Sequence, residues 1–408
     1  MQIKKYLHKV KSFFSKMRWV NKQDQLGQTP LIKASENGAV DLVQKLIEKK
    51  PNLNHQDQFK DTALISAANK GFGDIVTSLI EAGADVNMQN KWNQTALIEA
   101  SQNGYMDIVE NLIKAGADVN KMDEHGWSAL MNSVERGHEG VFDLLVKAGA
   151  DINHQASNRW TALHSACRGN KESMAQKLIE LGADLNHKEE DGYTPIHISV
   201  INKNLNIMNK LIQHGANINA TQKDGYTPLH LAVEHNNKAI ALALIDKGAD
   251  LNKQDMWGET ALQKAAKYGK REVMETLIDK GADLNKVDHL GDSALHRAIK
   301  NKRVGIAQIL IDKGADANIL NKEGHSALMI AIQKGYIQLV RDMIKGDANV
   351  LLKNEEGKDA YHFAMKSGDM AIVKEIKEAV KKEMNSYFMN SQAYKRLLTM
   401  KNERVYGA

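Results

Sequence analysis

The chain carries fifteen histidines and a single cysteine, and these are its first candidates for chemistry. Histidine serves as a metal ligand or general base, and a cysteine thiolate as a nucleophile. The spacing argues against both uses. His164, His197, His230 and His296 each fall three residues after a Thr or Ser that recurs every 33 positions. A residue type that returns in step with a repeat serves the repeat, so these four are expected to brace backbone. His154 and His187 each follow an Asn at another shared position and are expected to be exposed turn residues. No HExxH or CxxC pattern occurs, and one thiol cannot build a thiolate cluster. Cys167 takes the place of Ala68 and Ala266 in other repeats, which predicts a small buried side chain. No glycine loop of the GxxxxGK or GxGxxG type offers a phosphate cradle. No catalytic residue, metal site or cofactor is therefore expected, and the protein is read as not an enzyme.

The elements that position these residues follow from the period. Thr29, Thr62, Thr95, Ser128, Thr161, Thr194, Thr227, Thr260, Ser293 and Ser326 stand 33 residues apart, and Asp359 takes the eleventh place. Five residues later the side chain is always Ala or Ser, from Ala34 to Ala364; seventeen later it is Leu, Met or Ile. Thr95 is placed to cap a short first helix over Thr95–Asn103. The small fifth residue lets neighbouring helices approach. Ile108, Val109, Leu112 and Ile113 form the apolar face of a second helix. Gly116 ends it, where positive φ favours a residue without Cβ. Asn120 and its equivalents fit a turn, and about eight residues centred on Asp123 and Gly126 form a hairpin leading to the next unit.

Thr194-Pro195-Ile196-His197, Thr227-Pro228-Leu229-His230 and the closing Gly182-Ala183-Asp184-Leu185-Asn186 resemble the ankyrin repeat family, over residues 24–386. The departures are Lys60, Asn93 and Arg159 in place of a finger glycine, a one-residue shift around Gly346, and a degenerate last unit at Asp359 and Tyr361. The resemblance implies an all-α solenoid of stacked helix pairs with β-hairpin fingers, and a partner bound by the fingers and the exposed side of the first helices. On that register Trp127, Trp160, Tyr193 and Tyr226 precede the capping residue in four consecutive units, and Trp92, Trp257 and Phe59 sit two places earlier on theirs. Arg136, Arg168, His235, Lys267 and Tyr268 are placed on first helices. Aromatics are enriched among interface hot spots, so the expected site spans units three to eight, with Trp92, Trp127, Trp160, Tyr193, Tyr226, Trp257, Arg136, Arg168 and Tyr268 as its contacts.

The flanks differ from the body. The net charge is +5, but residues 1–23 hold seven Lys/Arg and no acid, while residues 374–408 carry +4, leaving the body at −6. Nucleic-acid binding is therefore not expected of the repeats. Ile3, Tyr6, Leu7, Val10, Phe13, Phe14 and Met17 trace one helical face opposite lysines. This segment (1–23) has three readings: a cap on the first repeat, a helix docking on an anionic membrane surface through residues 1–20, or a targeting or partner-binding helix. Residues 387–408 are read as a C-terminal cap or extra helix. No apolar run is long enough to span a bilayer. The leading expectation is a monomeric scaffold holding a protein or peptide. The alternative is a peripheral membrane protein docking by its N-terminal helix. One thiol fits a reducing, cytoplasmic setting, and the composition also fits a bacterial effector delivered into a host cell.

Overall fold

The structure, a computed structural model, describes residues 19–346 and 348–390, with side chains through 386. The amphipathic face of residues 1–18 lies outside the described residues, as do the side chains of Tyr387 and Phe388 and all of Tyr394 and Leu397. The described residues form eleven helix pairs and no strand. They fall into two compact units, divided between Asn217 and Ile218. The first holds six pairs, from Pro30–Glu36 to Leu205–Gln213; the second holds five, from Pro228–Glu234 to Met370–Asn390.

The third repeat shows how the sequence makes a pair. Thr95 is extended, and its hydroxyl accepts the Ile98 N–H at 3.2 Å, capping Ala96–Asn103. Gly104 ends that helix at φ +79°. Met106–Lys114 follows and buries Ile108, Val109 and Leu112, while Ile113 is half-buried. Gly116 then turns the chain at φ +86°.

Within each unit, first helices pack on neighbouring first helices and second helices on neighbouring second helices. The small fifth residues sit at the first-helix contacts and are buried, as Ala67, Ala100, Ser133 and Ala166 are in the first unit and Ala265, Ala298 and Ala331 in the second. A larger side chain there would force the helices apart.

The fingers reverse the chain as tight turns rather than as paired strands; among the described residues the β structure is an isolated bridge, Met122 to Ser128. The turn is closed by a side chain. Asp57 Oδ1 accepts the N–H groups of Phe59 at 2.8 Å and Asp61 at 3.0 Å, beside two backbone bonds, Asp57 N–H to Asp61 C=O at 3.1 Å and Lys60 N–H to Asp57 C=O at 2.9 Å. Neighbouring fingers also tie to one another inside a unit, as Glu124 N–H does to Trp92 C=O at 2.9 Å and His289 N–H to Trp257 C=O at 2.9 Å.

The closing asparagines do more than fill a turn. Asn87 Oδ1 accepts the Asp118 N–H at 2.8 Å, and Asn252 Oδ1 accepts the Asp283 N–H at 2.8 Å, so each joins its repeat to the next. Met370–Asn390 is 21 residues long where most second helices have nine, and it buries Ile372, Val373 and Ile376. No helix of the described residues is long and apolar enough to cross a membrane.

Candidate functional site

The histidines three residues after the cap, His164, His197, His230 and His296, are structural. In the first unit His164 is fully buried; its Nδ1 accepts the Thr161 N–H at 3.3 Å and its Nε2 donates to the Tyr193 carbonyl at 3.2 Å. The partners assign the neutral tautomer. In the second unit His230 bonds the Glu259 carbonyl at 3.1 Å and His296 the His325 carbonyl at 3.1 Å. Burial pushes His164 and His230 down to about 4 and lowers His296. Gln263 fills the same place in the eighth repeat, accepting the Thr260 N–H at 2.7 Å and donating to the Asp292 carbonyl at 2.7 Å. His154 and His187 are half-buried rather than exposed, because their Nε2 atoms reach back to the Gly126 and Arg159 carbonyls at 2.9 and 3.0 Å. Cys167 is buried, and burial alone drives its thiol pKa up, which removes its nucleophilic character. No His/Cys/Asp/Glu group among the described residues has the arrangement of a metal site.

The finger aromatics divide by position. Trp127, Trp160, Tyr193 and Tyr226, next to the capping residue, are all half-buried. Trp160 is tied into its own repeat: its Nε1 donates to Ser165 Oγ at 2.9 Å, its ring lies 5.1 Å from His164, and the Arg168 guanidinium covers it at 5.0 Å. Arg168 pairs in turn with Glu135 at 2.6 Å. Tyr193 sets its ring edge-on to His197 at 5.9 Å. Arg136 is exposed at the end of Ala129–Arg136. Two residues earlier on the finger, Trp92 is 37% exposed and Trp257 45%, while Phe59 is half-buried.

Trp92 marks a groove in the first unit. It stacks on Phe59 at 6.0 Å under Lys91, beside a cleft of about 220 Å³ lined by Glu36, Asp61, Asn69, Asn90 and Glu99. Burial raises Asp61 and Glu99 above the usual carboxylate range.

The second unit holds a larger groove of about 450 Å³, walled by Tyr226, Trp257 and Tyr268 and floored by Lys264. Tyr226 and Trp257 lie 5.6 Å apart. Lys264 is 1% exposed, with Nζ 4.3 Å from the Tyr226 ring centre and 3.1 Å from its hydroxyl. The ammonium lies 3.0 Å from Asp255 and 3.2 Å from Glu259. The Asp255 contact is an ion pair outside hydrogen-bond geometry, since Oδ2 makes no hydrogen bond. Burial works against the charge, but the Tyr226 hydroxyl, Asp255 and Glu259 hold the Lys264 pKa above its ordinary value. Burial likewise works to raise Glu259, yet Lys264, Arg297 and Lys267 outweigh it and hold that carboxyl low. Arg297 joins Asp288 at 2.5 Å and Glu259 at 3.2 Å; Lys300 joins Asp292 at 2.8 Å.

Of the residues singled out by sequence, the groove brings together Tyr226, Trp257, Lys267 and Tyr268. It does not include Trp92, Trp127, Trp160, Tyr193, Arg136 or Arg168. Sequence reasoning missed the charged floor.

The protein-family comparison agrees with this architecture. The model described as ankyrin repeats (three copies) matches residues 3–90, 67–156, 97–189, 146–222, 163–255, 247–321 and 305–387. Among curated proteins none matches the chain. Its helix pairs, capped by Thr and braced by His, and the family matches along nearly its whole length give one conclusion: the chain belongs to the ankyrin-repeat family.

Proposed function

We propose that this protein is a non-catalytic scaffold that holds a protein or peptide partner, and that the Tyr226–Trp257–Tyr268 groove is a principal contact. Ankyrin repeats are generally protein–protein interaction modules. The observation that carries the proposal is Trp257: a large apolar ring, 45% exposed, on a finger whose backbone is fixed by Asp255 Oδ1 to its N–H at 2.9 Å. A rigid exposed aromatic loses little conformational freedom on binding, and such residues dominate interface energetics. The buried histidines and cysteine support a non-catalytic reading by having structural duties.

The test is affinity capture with the full chain and with Trp257→Ala. A specific partner should be retained by the parent and lost by at least about tenfold from the variant, the loss of one modest hot spot. Equal thermal midpoints would show that the fold is intact. Unchanged capture by Trp257→Ala would refute the groove as the contact.

A further inference from the structure

We infer that the cleft beside Trp92 in the first unit takes a basic side chain, a lysine or arginine on an exposed segment of a protein partner, in a place that the second unit fills with a lysine of its own. This is a second contact, separate from the Tyr226–Trp257–Tyr268 groove. The register matches the two places residue for residue. Glu36, Asp57 and Asp61 stand six repeats before Glu234, Asp255 and Glu259. In the second unit Glu259 has three cations around it, Lys264 at 3.2 Å, Lys267 at 3.4 Å and Arg297 at 3.2 Å. The residues six repeats earlier are Ser66, Asn69 and Glu99. The carboxylates are kept and all three cations are gone.

The space left by those replacements is the cleft itself, of about 220 Å³, lined by Glu36, Asp61, Ser66, Asn69 and Glu99. The side-chain donors to these carboxylates are neutral amides: Asn69 to Glu99 Oε2, Asn90 to Asp61 Oδ1 at 3.0 Å, and Gln28 to Glu36 Oε2 at 3.2 Å. Among the described residues none of the three forms an ion pair. Glu99 is only 6% exposed, and its Oε1, which makes no hydrogen bond among them, opens on the cleft. The two places titrate in opposite directions. Burial, then Asp57 and Glu36, raise the Asp61 pKa against the Asn90 hydrogen bond, whereas three cations outweigh burial at Glu259 and hold it low. No nearby lysine supplies the missing charge. Lys70 in the lining is exposed and forms no ion pair among the described residues, and Lys91 lies over the Phe59 and Trp92 rings at 5.3 and 5.0 Å. The carboxylates are not arranged to hold a metal ion. A side-chain cation entering beside Ser66 would meet Glu36, Asp61 and Glu99 and make charge-assisted hydrogen bonds to carboxylates already desolvated. The position of Ser66 is Lys264 in the eighth repeat and Arg297 in the ninth, so either cation suits it.

The test uses the full chain and labelled peptides alternating glycine with arginine, lysine, citrulline or glutamate, followed by fluorescence polarisation at about 0.15 M salt, where distant surface charges are screened. Citrulline keeps the shape of arginine without its charge. The arginine and lysine peptides should bind at least about tenfold more tightly than the citrulline and glutamate peptides, as a charge-assisted contact with a desolvated carboxylate allows. Ser66→Lys gives the cleft the second unit's own cation. It should abolish that preference without lowering the thermal midpoint. Glu99→Gln should reduce the preference severalfold. Glu275→Gln, which removes an exposed carboxylate paired with Arg271, should leave it intact, and so should Trp257→Ala in the other groove. Equal binding of arginine and citrulline peptides, tighter binding of the glutamate peptide, or full preference in Ser66→Lys or Glu99→Gln would overturn the inference. If Ser66→Lys lowers the midpoint, Glu99→Gln alone decides. Loss of the preference in Trp257→Ala would place the basic contact in the second unit and overturn the inference as well, while leaving the scaffold reading in force.

Discussion

Replacing Lys264 by Met tests whether the charged floor of the groove is held as the structure implies. Methionine fills nearly the same volume, so the change removes charge and little packing. The loss is concentrated on Asp255. Its side chain is fully buried, its Oδ2 makes no hydrogen bond, and the ammonium 3.0 Å away is its counter-ion. Glu259 keeps Arg297 at 3.2 Å and Lys267 at 3.4 Å, so it is left only partly short. Breaking a buried pair from one side costs about 3–5 kcal/mol, because a charge stays behind without compensation. Amide exchange across Ala261–Tyr268 would read that cost locally, which matters because repeat proteins need not unfold in one step. Adding Asp255→Asn should restore most of the loss. Asparagine already holds this place in the third and tenth repeats, where Asn90 Oδ1 accepts the Trp92 and Gln94 N–H groups at 3.0 and 2.9 Å, and Asn321 does the same for Glu323 and His325. The double variant therefore keeps the finger turn while removing the stranded charge. A penalty for Lys264→Met below about 1 kcal/mol, the value of an exposed pair, would refute the reasoning. So would a double variant less stable than the single one.

Two further outcomes follow from the braces and the fingers. His164 and His230 are neutral and buried, with pKa values near 4 against an unfolded value of 6.5, so the unfolded chain binds protons in this interval that the native chain does not. Stability should be level above about pH 7 and fall as the pH drops from 6.5 toward 4, by up to about 3 kcal/mol per histidine. Urea unfolding across that range would show it, and His164→Gln, borrowing the Gln263 solution, should flatten the slope in the first unit; an unaltered slope would rule out His164 as its source. At the finger turns Lys60 and Arg159 hold φ of +58° and +63°. A left-handed non-glycine residue costs about 1–2 kcal/mol, and glycine gives back roughly 0.4–1 through unfolded-chain entropy, so Arg159→Gly should stabilise by roughly 0.5–1 kcal/mol. Gly126→Ala should act the other way, since its Cβ would meet the Ser157 nitrogen at 2.8 Å; thermal melts that place both changes on the same side of the parent would contradict this account.

The features legible in the sequence are those that repeat. Thr95, Ala100, Leu112 and Gly116 each answer to a local demand that returns in every unit, so the period alone assigns cap, close contact, core and stop. Exposure is different, because it depends on where a side chain folds rather than on its type. Trp160 and Trp257 look equivalent as finger tryptophans. Trp160 stands one residue before its cap and folds back to Ser165, five residues on, in its own first helix. Trp257 stands at the tip, three before its cap, and stays in solvent. The charged floor escaped notice for the opposite reason. Its members occupy places the repeat leaves free: the position of Lys264 and Arg297 is Ser165 in the fifth unit and Ile198 in the sixth. A search for what recurs discards them as variable. Yet units eight and nine share a spacing of acid, acid and base around the cap, Asp255, Glu259 and Lys264, then Asp288, Asp292 and Arg297. Charges placed five before, one before and four after a helix cap meet on one face of the helix start, where burial makes each depend on the others. The signal was in the sequence, at the positions where a 33-residue pattern stops imposing its own choice, and those positions are where partner specificity can vary without loss of the fold.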